Sequence, residues 1–341
     1  MLKLRDIGEF GFIDRIQNQS INRSEGVIKG IGDDCAVIAY TPDEYLLVTT
    51  DMLIEHIHFR RDLTTYYQLG WKSLAVNLSD IAAMGGTPKD AFISLAVPPD
   101  IELGHLDALY EGFKDLARRY GVNLLGGDTS GSLHDMMITV TVTGTVSTER
   151  ILFRSGTKDG DVIAVTGYLG DSSAGLHQLL SGTPLADDIR DPLLRAHLTP
   201  EPHLEEAQFL ASMQGVHAAI DISDGLSMDV RHLCKAAGIG AVIEETRIPI
   251  SPSTRSLAQK ENLSAEDFAL HGGEDYVLLA AIAPDVFPTI SELYEQKFAR
   301  PLYNTGNFCG EPQVTLKTSQ GEMHILAARG YDHFKRQGGI L

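Results

Sequence analysis

The chain has 341 residues, 43% of them hydrophobic and 22% charged, a composition typical of a globular protein and a length sufficient for two domains. Its 28 basic and 46 acidic residues give a formal net charge of −18, which argues against a nucleic-acid-binding protein and against adhesion to an anionic membrane. The three cysteines form no CxxC pair, and no signal peptide or membrane-length apolar run is found, so we expect a cytoplasmic protein.

The first half of the chain alternates predicted helices and strands. An amphipathic helix over 6–19 precedes GIGDD, a segment in which two glycines come before two adjacent carboxylates. Gly126, Gly127 and Asp128 are expected to end the strand that comes before them. The pattern predicts strands over 35–39, 45–50, 91–97, 121–125 and 136–146, helices over 72–86 and 102–119, and a loop over 52–66. These elements form a predicted first domain over residues 1–147.

The helix over 72–86 carries the first polar residues of interest. Its apolar residues recur at helical spacing, and it is expected to end at two glycines that precede Pro88. Asn77 and Asp80 lie three residues apart and therefore share a face, where small neighbouring side chains let a ligand approach closely. A carboxylate on such a face needs a partner, because burying an unpaired charge is costly.

The second half follows a turn-rich linker at 155–161 and forms a predicted second domain over residues 148–341. Either Asp171 or Ser172 is expected to cap a helix over 173–181. Residues 182–200 are expected to form a loop with a short helix. The pattern also predicts strands over 162–166, 218–222, 241–245, 276–282 and 313–317, and helices over 203–213, 226–237 and 285–297.

Acidic residues recur where predicted strands end or beside glycines. Mg²⁺ binds one or two carboxylates together with waters and substrate phosphates, and scattered aspartates beside glycines suit that role. The chain has no GxxxxGK[ST] loop, so bound phosphates would need cations as bridges. The acidic positions are Asp33, Asp34, Asp51, Asp80, Asp128, Asp221, Asp224, Glu274 and Asp275.

Each position also has an ordinary structural explanation. Asp33 and Asp34 suit a turn, and Ser223 with Asp224 suits a helix cap. Asp221 is harder to explain in this way, because it lies inside an apolar strand. His56 and His58 could be ordinary loop histidines. Arg154 could form a surface ion pair, and Tyr331 could serve in packing. The recurrence of acidic residues at the ends of several buried elements favours a common cation site over separate structural roles.

Nine segments occur in an order that spans residues 6–334: GIGDDCAV, TTDMLIEHIHF, AVNLSDIAAMGGTP, LLGGDTSG, LFRSG, TGYLGDSSAGL, AIDISDGL, HGGEDYVLL and GYDHF. The ordered set resembles thiamine-monophosphate kinase, a family of the aminoimidazole ribonucleotide synthetase-like ATP-binding superfamily. The resemblance implies an α+β fold of two domains, in which a mixed-sheet N-terminal domain forms a homodimer and a C-terminal α/β domain covers the nucleotide and the substrate.

The resemblance also implies roles for particular residues, in a site that binds ATP and thiamine monophosphate. The implied metal ligands, for Mg²⁺, are Asp34, Thr49, Thr50, Asp51, Asp80, Asp221 and Asp224. The implied ATP contacts are Gly127, Asp128, Arg154 and Ser223. The implied contacts to thiamine monophosphate are His58, Glu274 and Tyr331, of which Tyr331 would offer its ring to the thiazolium charge. No function is carried over to 182–200 or 246–265.

The implied reaction is ATP-dependent phosphorylation of thiamine monophosphate to thiamine diphosphate. The attacking group is a phosphate oxygen that is already ionised near neutral pH, so we expect direct in-line transfer with several Mg²⁺ ions and no general base. One alternative is another superfamily enzyme such as selenophosphate synthetase, but the first cysteine, Cys35, lies within a predicted strand rather than in a glycine-rich loop. A second alternative is a non-catalytic nucleotide-binding relative.

Overall fold

The computed structural model describes residues 3–17, 19–330 and 334, in which two β-sheets form the framework. The first sheet has six strands within 27–147, and the second has seven strands within 162–325. Helices pack against both sheets, and one core cluster includes residues from both halves of the chain.

The first sheet is mixed, with strand order β1-β2-β3-β6-β4-β5. β4 and β5 are parallel, and the other neighbouring strands are antiparallel. One face is covered by α2, against which the inward side chains of β3 and β6 pack. The elements of this half are α1 (Leu4–Ile16), β1 (Val27–Lys29), β2 (Ala36–Ala39), β3 (Glu44–Ile54), α2 (Tyr66–Ala83), β4 (Thr87–Val97), α3 (Leu103–Tyr120), β5 (Asn123–Gly131) and β6 (Met137–Ser147).

The other face of the first sheet is left open by the described residues of a single chain. Side chains of β3, β4 and β6 alternate between the buried side and this open side, as the two-residue period of a strand requires. On the open side, Met52 is 50% exposed and Phe92 is 41% exposed. Apolar side chains this exposed at the middle of a sheet are typical of a surface that another protein surface covers.

Two glycines let α2 and α3 approach each other closely. A Cβ atom on Gly70 would lie 1.9 Å from the carbonyl oxygen of Leu109, and one on Gly112 would lie 2.0 Å from that of Tyr67. Any larger residue at either position would push the helices apart. The helix pair therefore fixes where α2 lies over the sheet.

The second sheet has strand order β13-β12-β9-β11-β7-β10-β8, and only the β12–β9 pair is parallel among the described strands. Its central strands are apolar and buried on both faces. The elements of this half are β7 (Val162–Val165), α4 (Asp171–Ser181), α5 (Asp187–Leu198), α6 (Leu204–Ala211), β8 (Val216–Asp221), α7 (Leu226–Ala237), β9 (Gly240–Glu244), α8 (Pro252–Glu261), α9 (Ala265–His271), β10 (Leu278–Ile282), α10 (Phe287–Phe298), β11 (Tyr303–Cys309), β12 (Val314–Lys317) and β13 (Met323–Ile325).

Helix α2 joins the two halves, because it contacts β8, α5 and α6 as well as its own sheet. The indole nitrogen of Trp71 donates to the carbonyl oxygen of Pro200 at 3.0 Å. Just beyond the end of the helix, Gln208 of α6 donates to the carbonyl oxygen of Gly86 at 3.1 Å. Thirteen of the 18 residues of α2 are buried, so the helix lies in the interior rather than on the surface.

Several predicted boundaries were wrong. Strand β3 continues through Asp51 to Ile54, and β5 continues through the glycines that were expected to end it. Neither Asp171 nor Ser172 caps α4, whose N-cap is Gly170; the carboxylate of Asp171 instead accepts hydrogen bonds from Ser251 and Thr254. The short helix expected within the loop at 182–200 is present as α5, which is 12 residues long and fills most of this segment. Helices α8 and α9 and strand β11 were not predicted.

Candidate active site

Three aspartates from distant parts of the chain meet where the two halves contact each other. Asp34 precedes β2, Asp80 lies on α2, and Asp221 ends β8. One carboxylate oxygen from each of the three lies within 4.8 Å of the other two. The sequence predicted each of them as a metal ligand, and the fold brings them together.

Neighbouring polar side chains fix the orientation of this cluster. The hydroxyl of Thr49, on β3, donates to a carboxylate oxygen of Asp80. The hydroxyl of Ser79 donates to Oδ2 of Asp221 at 2.6 Å, so α2 holds a carboxylate that belongs to the other half. Because these two hydroxyls supply only one hydrogen bond each, most of the oxygen lone pairs in the cluster stay available to a ligand.

Asp51 extends the acidic surface along β3. Its backbone N–H donates to Oδ1 of Asn77 at 3.1 Å, so the amide predicted to share a face with Asp80 ties strand β3 to helix α2. The side chain of Asp51 points to the same side of β3 as that of Thr49, as the strand alternation requires. The charged residue is tolerated inside the strand because it faces the cavity rather than the apolar core.

The pKa values of these carboxyl groups are raised. Burial raises the pKa of Asp51 to about 6. Burial, together with the neighbouring charge of Asp34, raises the pKa of Asp221 to about 7. The pKa of Asp80 lies well above its ordinary value because the group is buried and because Asp51 and Asp221 are near. The ionised cluster is therefore unstable by itself, and a bound cation would relieve the repulsion.

The residues present fit a hard divalent cation. Oδ2 of Asp34 is buried and accepts no hydrogen bond from any residue within the described ranges, although a buried carboxylate oxygen normally has a partner. The donor set around it consists of carboxylate and hydroxyl oxygens, which Mg²⁺ prefers. The other oxygen of Asp34 accepts from Arg154 at 2.7 Å, so this arginine now neutralises a predicted metal ligand.

A second acidic group lies at the start of α7. Asp224, Asp229 and His232 bring ligand atoms within 4.8 Å of one another. Gly225, with a φ of 105°, is the N-cap of α7, so the side chains of Ser223 and Asp224 do not cap this helix. Instead, Oδ2 of Asp229, inside the helix, accepts from the backbone N–H groups of Asp224 and Gly225 at 3.2 and 3.0 Å and so holds the segment that precedes the helix. The sequence analysis did not identify Asp229 or His232.

A large cavity of about 2860 Å³ connects these groups with the predicted substrate residues. Nδ1 of His58 accepts from the backbone N–H of Ile54 at 3.0 Å. Oε2 of Glu274 accepts from Nζ of Lys72 at 2.8 Å. The predicted residues that line this cavity are Asp34, Thr49, Thr50, Asp51, Asp80, Arg154, Asp221, Ser223, Asp224, His58 and Glu274.

Comparison with known families assigns the chain. A family model described as AIR synthase related protein, N-terminal domain, matches residues 32–146. The corresponding C-terminal domain model matches residues 158–296. The thiamine-monophosphate kinase of Haemophilus influenzae is 35% identical to the chain, over 96% of the chain and 98% of that protein. The chain belongs to the thiamine-monophosphate kinase family.

Solved structures agree with this family assignment. AaThiL complexed with AMPPCP and TMP superposes with a TM-score of 0.83 at 32% identity, over 98% of this chain and 99% of that one. The thiamine monophosphate kinase from Aquifex aeolicus superposes with a TM-score of 0.78 at 30% identity, over 95% of this chain and 100% of that one. The predicted two-domain α+β fold is confirmed. Within the described ranges, no helix has the length and apolar character that a bilayer crossing requires.

Two predicted ATP contacts of this kinase-family chain lie outside the large cavity. Gly127 and Asp128 belong to the edge strand β5 and line a separate cavity of about 430 Å³. A Cβ on Gly127 would lie 1.6 Å from the carbonyl oxygen of Ile93, so glycine is required where β5 packs beside β4. Asp128 pairs in register with Ser94, on the open side of the sheet. Tyr331, a predicted substrate contact, lies outside the described residues.

Proposed function

We propose that the chain catalyses the ATP-dependent phosphorylation of thiamine monophosphate to thiamine diphosphate. The observation that carries this proposal is the convergence of Asp34, Asp80 and Asp221, from both halves of the chain, in one cavity that also contains Glu274. A protein of the same fold and 32% identity is known in complex with AMPPCP and TMP, an arrangement that the same cavity would accommodate here.

Both reactants are phosphates, so their mutual repulsion is the main obstacle to the reaction. Mg²⁺, when bound, neutralises this charge and aligns the phosphoryl group with its acceptor. The proposed ligands offer carboxylates at two places in the cavity. One is the Asp34 cluster, and the other is Asp224 at the start of α7. The proposed ligand set is Asp34, Thr49, Thr50, Asp51, Asp80, Asp221 and Asp224.

The hydrogen bonds of the cluster place its oxygens before any ligand arrives. Thr49 and Ser79 each hold one carboxylate, so little rearrangement is needed when the site is filled. No side chain has to remove a proton from the acceptor, because the terminal phosphate of thiamine monophosphate is ionised near neutral pH. Direct in-line transfer without a phosphorylated enzyme follows from this arrangement.

Arg154 and Ser223 are the proposed contacts to ATP within the large cavity. The guanidinium of Arg154 binds Asp34 through Nε and Nη2, at 3.3 and 2.7 Å, and a planar fork of this kind also suits phosphate oxygens. We propose that Arg154 moves from Asp34 to an ATP phosphate when cations take over the charge of Asp34. The carbonyl oxygen of Ser223 accepts from the N–H of Glu274 at 2.7 Å, which couples the proposed ATP contact to the thiamine end.

His58 and Glu274 are the proposed contacts to thiamine monophosphate. Since Nδ1 of His58 accepts a backbone hydrogen bond, the neutral ring carries its proton on Nε2, which suits a phosphate oxygen. Glu274 would accept from the amino group of the pyrimidine. The predicted role of Tyr331, to stack on the thiazolium ring, stays a prediction.

We propose a homodimer in which the open faces of two N-terminal sheets meet. The exposed Met52 and Phe92 would be buried by this contact. Gly127 and Asp128 lie at the edge of the same sheet, away from the large cavity of their own chain. They would therefore reach ATP in the site of the other subunit. In this arrangement residues 1–147 form the metal-binding and dimerisation domain, and 148–341 form the domain that covers the nucleotide.

A coupled assay tests the proposed reaction. ATP and Mg²⁺ are supplied with thiamine monophosphate, with thiamine or with water alone as acceptor, and ADP and thiamine phosphates are quantified. We expect one thiamine diphosphate for each ADP, and no ADP above background with thiamine or water. Phosphorylation of thiamine itself would make the chain a different kinase, and ADP release without thiamine diphosphate would contradict the proposed acceptor.

A further inference from the structure

A buried ion pair joins the two halves of the chain at the thiamine end of the cavity. Lys72 lies on α2, and its side chain is only 5% exposed. Its ammonium group donates to Oε2 of Glu274, which lies in the loop between α9 and β10, at 2.8 Å. Such a lysine is costly to bury unless its partner is ionised, so the pair requires a negatively charged Glu274.

The contacts to Glu274 fall on one side of its carboxylate. Nδ1 of His197, on α5, lies 3.3 Å from the same Oε2 that binds Lys72. Within the described ranges, every hydrogen bond and ion pair found for this carboxylate is made by Oε2. Glu274 lines the cavity, and its side chain is 28% exposed. Oε1 is therefore the oxygen that the protein leaves to a ligand.

The backbone holds Glu274 in place as firmly as the side chains do. Its φ is 67°, in the left-handed region that residues other than glycine rarely adopt. Its N–H donates to the carbonyl oxygen of Ser223 at 2.7 Å. A strained residue that its surroundings hold in place is a common feature of ligand-binding sites.

The geometry points to Lys72 as a specificity-determining residue, which holds Glu274 as an ionised acceptor so that the pocket demands a hydrogen-bond donor from the pyrimidine. This inference rests on the proposed function. An ionised carboxylate can only accept hydrogen bonds. An exocyclic amino group that faces the carboxylate therefore donates its hydrogen bond to it. An oxo group at the same ring position would leave two acceptors facing each other at a carboxylate that is largely buried.

Without Lys72, the same carboxyl group would lose this selectivity. Burial by itself raises the pKa of Glu274. The charge and hydrogen bond of Lys72, together with His197 and His58, outweigh burial and bring the pKa below its ordinary value, and Lys72 makes the largest of these contributions. A protonated Glu274 can donate to an oxo group. The other groups that face Glu274 are His197 and His58, with Asp275 and Tyr276 in its own loop. Burial lowers the pKa of His197 to about 3, so a neutral His197 cannot replace the lysine charge.

The test compares thiamine monophosphate with an analogue that carries an oxo group in place of the pyrimidine amino group. Steady-state kinetics and binding calorimetry are measured for the wild-type enzyme, Lys72→Met and Glu274→Gln. Lys114→Met, at an exposed position on α3, is the control. We expect the wild-type enzyme to prefer the amino compound by about a hundredfold, and Lys72→Met to reduce this preference by about tenfold or more, through KM rather than kcat.

Two further readouts separate this role from a purely structural one. The KM of Lys72→Met for thiamine monophosphate, divided by the wild-type KM at the same pH, should rise as the pH falls from about 8 to about 6, because Glu274 then becomes protonated only in the variant, whereas the carboxyl groups of the aspartate cluster titrate in both proteins. In a Glu274→Gln background, Lys72→Met should change the preference little, because its effect passes through the missing charge. This double variant replaces a buried ion pair by neutral groups of similar volume, which folded proteins often tolerate.

The outcomes distinguish this inference from the proposed function. Unchanged preference, together with a ratio of variant to wild-type KM that does not change with pH, would overturn the role of Lys72, even if turnover is normal. If Lys72→Met weakens the binding of thiamine monophosphate, of the oxo analogue and of ATP by the same factor, the role of Lys72 is structural and the inference is also overturned. If calorimetry shows the expected discrimination while no thiamine diphosphate forms, the proposed reaction is wrong and the role of Lys72 in recognition stands.

Discussion

Asp80 and Asp221 belong to different halves of the chain, and their carboxylate oxygens lie within 4.8 Å of each other. Asp80 is fixed by helix α2, and Asp221 accepts a hydrogen bond from Ser79 of the same helix at 2.6 Å. Two like charges at this distance repel each other in a buried site. A bound cation would offset this repulsion, and we propose that function rather than stability accounts for the arrangement.

Asp80→Asn should therefore separate activity from stability. We expect kcat to fall by about two orders of magnitude or more, because an amide is a weaker ligand for Mg²⁺ and carries no charge. The melting temperature of the metal-free protein should stay the same or rise, because one buried charge is removed. Asp107→Asn on the exposed side of α3 is the matched control. Near-normal turnover in Asp80→Asn would remove this residue from the metal site.

The stabilisation by Mg²⁺ should increase with pH. Asp51 and Asp221 have pKa values of about 6 and about 7 in the folded chain, above their ordinary value of 3.8. At pH values between the ordinary pKa and these raised pKa values, the folded state thus holds more protons than the unfolded state. The stability of the metal-free protein therefore falls as pH rises through this window. Mg²⁺ binds the ionised forms, so it should restore this loss.

Thermal melting with and without Mg²⁺ at about pH 5.5 and about pH 8 checks this prediction. The gain in melting temperature should be clearly larger at the higher pH. The Asp80→Asn protein, which lacks one raised carboxyl group, should show a smaller gain at both pH values. A gain that is equal at both pH values would mean that Mg²⁺ binds elsewhere.

Subunit mixing should reveal whether Asp128 acts in the site of the other subunit. Asp80→Asn and Asp128→Asn chains are each expected to be nearly inactive alone. If each site combines Asp80 of one subunit with Asp128 of the other, a mixed dimer has one intact site. Unfolding and refolding the two chains together should then restore about a quarter of wild-type activity, because about half of the dimers are mixed. Failure to regain activity, with dimers shown by light scattering, would place Asp128 elsewhere.

Gly112→Ala should destabilise the protein through the α2–α3 contact. A Cβ at this position would lie 2.0 Å from the carbonyl oxygen of Tyr67, so the helices must move apart. We expect a loss of about 1–3 kcal/mol in the free energy of unfolding, together with lower activity, because α2 carries Asp80. Gly104→Ala is the control. A Cβ on Gly104 meets no atom within 4 Å, and alanine there should be neutral or stabilising by about 0.5–1 kcal/mol. Chemical denaturation measures both changes.

Much of the aspartate cluster could be predicted because its members have local signals. Asp80 shares a helix face with Asn77, and Asp221 interrupts an apolar strand, so both stand out from their neighbours. The helix itself was predicted from its apolar spacing and its closing glycines. The structure shows that α2 begins at Tyr66, before the predicted start at Lys72, because Thr65 and Gln68 form a capping box there.

Lys72 and Asp229 gave no signal in sequence alone. Lys72 is buried only because α2 packs between the two halves, and the sequence does not show which part of the chain supplies its partner. Asp229 lies within the predicted helix over 226–237, and the sequence does not show that its carboxylate accepts from the backbone N–H of Gly225. Glycines made β5 appear to end early, although the strand continues where they allow β4 and β5 to pack closely.

The most direct test of the central claim is a crystal structure of the protein soaked with Mn²⁺ and a non-hydrolysable ATP analogue, with anomalous scattering used to locate the metal. We predict anomalous peaks within coordination distance of Asp34, Asp80 and Asp221, with Arg154 turned from Asp34 toward a phosphate. Metal peaks confined to other surfaces, while these three carboxylates bind nothing, would contradict the account.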